Sequence, residues 1–317
     1  MTRRIRLTWQ AVAVIGGLTL LGAIALLIWS GLAQPLEWST DIWAGGYRGH
    51  SDVLVVPPFP ILSTLQVFDI NVQPGGTHFY PLGSDAAGRD LLALVARGAI
   101  PSLELVAIVV VVRFAVGVVV GVAMGMGLPL MRELGRWVGS VVLGFPYIAL
   151  AAITVQAITP NGKMSAFVIA MAIVGWRDIA ELVAERVEYV RGQAFSEAAK
   201  ALGTSGLRFF RLHVIPFLRP AIGVELPFQV SAVLVLLAEL GYIQVFLGPT
   251  VEIVNTSGAP YLLITRPELG QLLSLTRADI LAGQFGVALI PALAIALIAF
   301  SFELIGTGVR GRTRLRS

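Results

Sequence analysis

The chain has 317 residues, of which 56% are hydrophobic and only 13% charged. A soluble domain carries roughly 25% charged residues, so this composition excludes a soluble globular protein and, equally, a disordered one. The net charge is +4, from 23 basic and 19 acidic residues, and there is no cysteine, which excludes disulfides, thiolate metal sites and cysteine nucleophiles.

A helix crosses a bilayer with about 20 mostly apolar residues. Six stretches predict such spans. The first runs from Trp9 to Ala33. The second runs from Leu103 to Leu130 and holds Arg113. The third is Val138 to Thr159. The fourth, Met164 to Trp176, is short, and its helix is expected to continue past Trp176 as an amphipathic extension. The fifth, Ala221 to Leu247, contains Glu225, Pro227 and Glu239. The sixth, Phe285 to Ile305, contains Pro291 and ends near Glu303. Arg3, Arg4 and Arg6 before the first span also suit a signal peptide, and Gly31-Leu32-Ala33 is a tolerable cleavage site. However, the apolar run exceeds the about 7–15 residues of a signal core, which favours an uncleaved anchor.

With the N-terminus in the cytoplasm, the inside segments hold most of the basic residues. There are three before the first span, two between spans two and three (Arg132, Arg136), seven between spans four and five, and four at the C-terminus (Arg310, Arg312, Arg314, Arg316). This positive-inside bias predicts an all-α protein with six transmembrane helices and both termini cytoplasmic. The basic residues thus report orientation, not nucleic-acid binding.

The expected organisation follows. Residues 1–33 are the cytoplasmic N-terminus and first span. Residues 34–101 are an extracytoplasmic insertion, rich in Pro and Gly and expected to be mostly irregular. Residues 102–310 form a five-helix core with a cytoplasmic loop at 177–220, and 311–317 a basic tail. The outer loop Gly248–Gln284 is similar in character to the insertion. In span two, Gly117, Gly121, Gly125 and Gly127 have the spacing of close helix packing.

The inner loop carries the sharpest signal. Arg177 to Val190 spaces its apolar residues by three and four, an amphipathic helix leaving the membrane. Next comes Phe195-Ser196-Glu197-Ala198-Ala199-Lys200-Ala201-Leu202-Gly203. Ser196 suits an N-cap and Glu197 the positive first turn, and Gly203 suits a left-handed helix end. Thr204 or Ser205 is placed to cap a second short helix, Leu207 to Val214, expected to stop near Pro216. A bare Glu-Ala-Ala is an ordinary loop helix. With Gly203 and His213-Val214-Ile215-Pro216 behind it, the segment resembles the EAA loop of ABC importer permeases, in the form of the oligopeptide/dipeptide/nickel family.

A second motif lies on the other side of the membrane. Tyr80-Pro81-Leu82-Gly83-Ser84-Asp85-Ala86-Ala87-Gly88-Arg89-Asp90, followed by Arg97-Gly98-Ala99 and Ser102-Leu103, resembles the "HPLGTDxxGRD…GAxxSL" segment of that family's C-type permease. Tyr80 stands where the family has His. Read without the family, it is a capped helix start. The segment Phe302 to Arg310 is similar to the family's exit from its last span. The match departs over Gln34–His78, and again after Glu239, where Leu240–Gly248 is longer than the family's run.

The resemblance implies an ABC importer permease, with Glu197, Ala198, Ala199, Gly203 and Pro216 in the loop that docks on an ATPase. Gly83, Asp85, Gly88, Arg89 and Asp90 form the extracytoplasmic motif. It also implies a homologous second permease, two cytoplasmic P-loop ATPase subunits that hold ATP and Mg, and an extracytoplasmic solute-binding protein. Peptide is the expected solute, with nickel or a metal chelate as the alternative.

The chain has no G-x-x-x-x-G-K-[ST] phosphate loop, no H-E-x-x-H and no G-x-S-x-G. Neither a catalytic residue, a metal site nor a cofactor of its own is expected, and its three histidines (His50, His78, His213) fall outside the spans. Arg113, Glu225 and Glu239 do lie in spans, where ionisable groups are costly and usually face a bundle interior or aqueous path. They are candidate pathway residues or, alternatively, a structural ion pair. Two other functions fit six spans: an ion-coupled secondary transporter using Glu225 and Glu239, and a non-transporting membrane anchor. The lack of an internal repeat argues against the first.

Overall fold

The computed structural model describes residues 2–33, 47–48, 54–55, 59–68, 74–85, 88–158, 164–204, 206–245, 250–254, 260–264, 268–281 and 285–314. Several predicted features lie outside these: His50, the Thr159 end of span three, the Ser205 cap and the Leu247 end of span five.

The chain is mostly helical. Helix α1 (Thr2–Ala33) is followed by strands β1 (Tyr47–Arg48), β2 (Leu54–Val55), β3 (Ser63–Phe68) and β4 (Pro74–Tyr80). Then come α2 (Leu91–Gly125), α3 (Pro129–Gly144), α4 (Tyr147–Ile158), α5 (Met164–Arg191), α6 (Ala194–Ala201) and α7 (Gly206–Phe209). A π turn (Phe210–Val214) leads into α8 (Ile215–Tyr242). A hairpin of β5 (Thr250–Val254) and β6 (Pro260–Ile264), then α9 (Leu269–Leu281) and α10 (Phe285–Arg314), complete the fold. Among the described residues, three helical stretches are long and apolar enough to cross a membrane: Leu91–Gly125, Phe210–Tyr242 and Ala288–Gly311.

Two sequence expectations are corrected. The insertion is not mostly irregular where it is described. It forms an antiparallel sheet in the order β2-β1-β3-β4, and the second outer loop adds the β5–β6 hairpin. Alternation such as Thr64-Leu65-Gln66-Val67 carries that signal, but flanking Pro and Gly residues mask it. The all-α expectation thus becomes a mostly helical chain with strands in its two outer segments.

Span boundaries also shift. Helix α2 starts at Leu91, twelve residues before the apolar run, and carries Pro101 inside it. The stretch read as span three divides between α3 and α4 at Phe145-Pro146. Pro146 has no N–H and disfavours helix at the residue before it. The helix that begins in the predicted fourth span, α5, continues past Trp176 to Arg191.

The main core gathers Val109, Phe167, Met171, Leu234, Leu237, Leu269 and Ile298 from α2, α5, α8, α9 and α10. Helices α2 and α5 approach closely because a Cβ at Gly117, Gly121 or Gly125 would lie 2.5–2.7 Å from Ile179, the Ala180 carbonyl or Val187. Gly127 is different: it turns the chain with φ +84° just past the end of α2. A second cluster (Ile179, Val183, Val187, Val190, Ala199, Phe209, Val214, Leu218) sits where the EAA segment leaves the bundle.

Candidate functional site: the coupling elbow, the outer knot and the buried arginine

Helix α6 hangs from α5 through two residues. Gly192 N–H donates to the Glu188 carbonyl at 3.0 Å, Gln193 N–H to Val190 at 3.2 Å and Ser196 N–H to Gln193 at 2.9 Å. Ser196 is fully buried, and its hydroxyl donates to the Val190 carbonyl. It is therefore not the N-cap predicted from sequence. The helix begins two residues earlier, at Ala194, with Glu197 in its first turn.

The two faces of α6 differ. Ser196 and Ala199 are buried against the bundle, while Glu197 and Ala198 are exposed. Leu202, just past the helix, is 86% exposed. Thr204 N–H donates to the Ala199 carbonyl at 2.9 Å, and Gly203 takes the left-handed conformation with φ +81°. A side chain there disfavours this conformation.

Pro216 does not stop the chain. It lies in the first turn of α8, directly after the π turn, where Ile215 N–H bonds to Phe210. A proline N lacks its proton, so a helix tolerates it in the first turn, and the wider π turn hands the chain on to α8.

The second motif folds into a knot at the start of α2. Asp90 is its N-cap: Oδ1 accepts from Leu92 N–H at 2.8 Å and Ala93 N–H at 3.2 Å. Its Oδ2 lies 3.0 Å from His78 Nε2 on β4. Asp85 accepts from Arg89 twice, from the backbone N–H and from Nε, both at 2.8 Å. Arg89 and Tyr80 are fully buried, and the Tyr80 hydroxyl donates to the Gly88 carbonyl at 3.1 Å. Gly83 has φ +79°, and a Cβ there would sit 2.6 Å from the Phe59 carbonyl oxygen. All five motif residues are buried. These side-chain bonds run within the knot, to α2 or to β4.

The intramembrane residues separate into two groups. Arg113 is buried; its Nε donates to the Met171 carbonyl at 2.8 Å and its Nη1 to Gln229 Oε1 at 3.2 Å. Gln229 Nε2 in turn donates to Glu225 Oε1 at 3.1 Å. Arg113 and Glu225 are thus joined through a neutral amide. Gly175 makes the room: a Cβ there would lie 2.1 Å from the Arg113 Cζ. Glu239 is elsewhere, exposed near the end of α8 and about 21 Å along the helix from Glu225 at 1.5 Å per residue.

Sequence reasoning missed Glu268. It lies in the connection between the fifth and sixth spans and is buried. Its carboxylate accepts from the Ser102 hydroxyl at 2.8 Å, Gly270 N–H at 2.9 Å and Gln271 N–H at 3.1 Å. Burial pushes this carboxyl above its ordinary value, against the pull of those donors. The available signal is an acid after Arg266-Pro267 and before an apolar run, a helix start inside a segment that otherwise reads as loop. Among the described residues, no group of three His, Cys, Asp or Glu is placed to hold a metal ion.

Residues 117–315 match the model of the family described as "Binding-protein-dependent transport system inner membrane component". The chain belongs to this family. It is similar to the glutathione transport system permease protein GsiD of Escherichia coli, 28% identical over 255 residues covering 80% of this chain and 78% of the relative. To GsiD of Pectobacterium atrosepticum it is 26% identical over 301 residues, 95% of this chain and 86% of that one. Among solved structures, a chain of the inward-facing MetNI methionine ABC transporter superposes with TM-score 0.50 at 16% identity, covering 70% of this chain and 95% of that one. The chain is a permease subunit of an ABC importer, a multi-pass protein of the inner membrane and not the ATPase. It works with a partner permease, an ATPase and a binding protein. The ion-coupled and anchor alternatives are set aside by this membership.

Proposed function

We propose that this chain is one half of the translocation pathway of an ATP-driven peptide importer, and that it is driven through α6. It crosses the membrane six times with both termini in the cytoplasm. It pairs with a homologous permease, stands on two P-loop ATPase subunits that hold ATP and Mg, and receives solute from an extracytoplasmic binding protein. Glu197 and Ala198 form the docking face, Ala199 seats the helix on the bundle, and Gly203 makes the turn after it. Pro216 starts the helix that carries the stroke back toward the membrane.

The observation that carries this reading is the two-faced α6. A helix this short is marginal alone, yet here it is held by a hydrogen-bonded elbow while Glu197, Ala198 and Leu202 stay exposed. The small side chain of Ala198 leaves room for a partner to approach closely. The peptide assignment rests on the relatives, which are named for glutathione, itself a small peptide. A nickel or metal-chelate solute has no comparable support.

In this account the knot at Gly83, Asp85, Gly88, Arg89 and Asp90 anchors the outer end of span two. Arg113 is a structural charge behind the pathway, and Glu225 and Glu239 are the groups nearer to it. The test is uptake of labelled small peptides into proteoliposomes that contain the purified assembly, with ATP and the binding protein. Uptake that requires both supports the reading. Uptake driven by an ion gradient without ATP contradicts it.

A further inference from the structure

We propose that Arg191 is a positioning residue that ties the coupling helix to span two, so that α2 and α5 move with α6 as one body. The proposal rests on the coupling role given to α6 above.

Arg191 is the last residue of α5 and the basic residue of its last turn. Its Nη1 donates to the Gly125 carbonyl at 2.7 Å. Gly125 ends α2, so this carbonyl belongs to the terminal set that lacks a helical partner and carries the negative end of the helix dipole. The arginine therefore caps one helix from the end of another. Gly127, turned by φ +84°, leaves it room: a Cβ there would sit 3.1 Å from the Arg191 Nη1. Above this cap the two helices interlock at Gly117, Gly121 and Gly125, with no space for a methyl group.

The two connections of α6 differ. Upstream, two residues separate it from Arg191, and both are hydrogen-bonded into the elbow, as is buried Ser196. Downstream, Gly203 and Gly206 both take positive φ, and a methyl group at either would meet nothing within 4 Å. The coupling region also makes contacts between rings: Phe195 stacks 6.1 Å from Phe217 and lies 5.8 Å from His213. The Arg191 contact is of another kind, a charge-assisted hydrogen bond, which is shorter and roughly twice as strong as a neutral one. A displacement of α6 therefore passes first into α5, and through Arg191 into α2.

The test uses the reconstituted importer with its ATPases and binding protein, and reads ATP hydrolysed per solute imported. Arg191→Ala is expected to raise that ratio at least about fivefold, the lower end of the usual coupling between sites, while the ATPase still co-purifies. Arg191→Lys, which keeps a charged donor, is expected to restore most of the coupling. If Arg191→Ala is not recovered from membranes, Arg191→Gln makes the same test with part of the stem retained. Uptake and hydrolysis falling together, at an unchanged ratio, would overturn the proposal. Gly203→Val in parallel separates the two claims: if it uncouples and the Arg191 variants do not, the coupling reading stands and this inference fails. If neither uncouples, the coupling reading itself fails.

Discussion

Arg89 Nε lies 2.8 Å from Asp85 Oδ2, with the arginine wholly buried beneath the start of span two. Removing one partner of a buried ion pair leaves the other uncompensated and costs about 3–5 kcal/mol. Arg89→Met is therefore expected to lower the thermal unfolding midpoint in detergent sharply and to reduce the amount of protein in the membrane. An unchanged midpoint would show that the knot is not an anchor.

Asp90 does two things with two oxygens, capping α2 with Oδ1 and meeting His78 with Oδ2. Asp90→Ala loses both, and the cap alone is worth about 1 kcal/mol. Asp90→Asn keeps an acceptor for the cap and is expected to fall between Ala and wild type. The same unfolding measurement orders the three, and an Asn variant no better than Ala would place the stabilisation in the His78 contact.

Gly175 and Gly17 make a matched pair. Both lie within helices, but a methyl group at Gly175 would strike the Arg113 guanidinium, whereas nothing lies within 4 Å of one at Gly17. Gly175→Ala is expected to cost at least about 1–3 kcal/mol through overpacking. Gly17→Ala is expected to be neutral or slightly stabilising, because alanine is the better helix former. Equal effects would contradict the packing around Arg113.

Much of this is legible in the sequence. The long apolar runs mark α1, α2, α8 and α10, the short fourth run implies the extension past Trp176, and the spacing Glu197 to Gly203 locates α6 and the turn after it. What is illegible has physical causes. Ser196 looks like a cap because serine caps helices, but only the fold shows its hydroxyl spent on Val190. Pro216 looks like a stop because the π turn that admits it has no sequence signature. The Arg113–Gln229–Glu225 chain joins residues far apart in sequence, and Gln229 carries no charge to draw attention. The outer sheet hides among prolines and glycines, which mark turns whether or not strands lie between them.

Gly203 has open space around it and a left-handed backbone, so a substitution there is a conformational test, not a steric one. Gly203→Val is expected to cost about 1–2 kcal/mol locally and to separate ATP hydrolysis from uptake, leaving the fold of the spans intact. Circular dichroism and the unfolding midpoint check the fold, and the hydrolysis-to-uptake ratio checks the rest. Normal coupled uptake would remove Gly203 from the account.

The central claim is that the exposed side of α6 and its following turn face the ATPase. Because the chain contains no cysteine, Leu202→Cys introduces a single thiol at the most exposed large apolar residue among those described. A thiol-directed photocrosslinker attached there, activated in native membranes, is expected to join this chain to the ATPase subunit, with a yield that changes when ATP is added. Crosslinks to lipid alone, or none to the ATPase with the assembled importer present, would contradict the account.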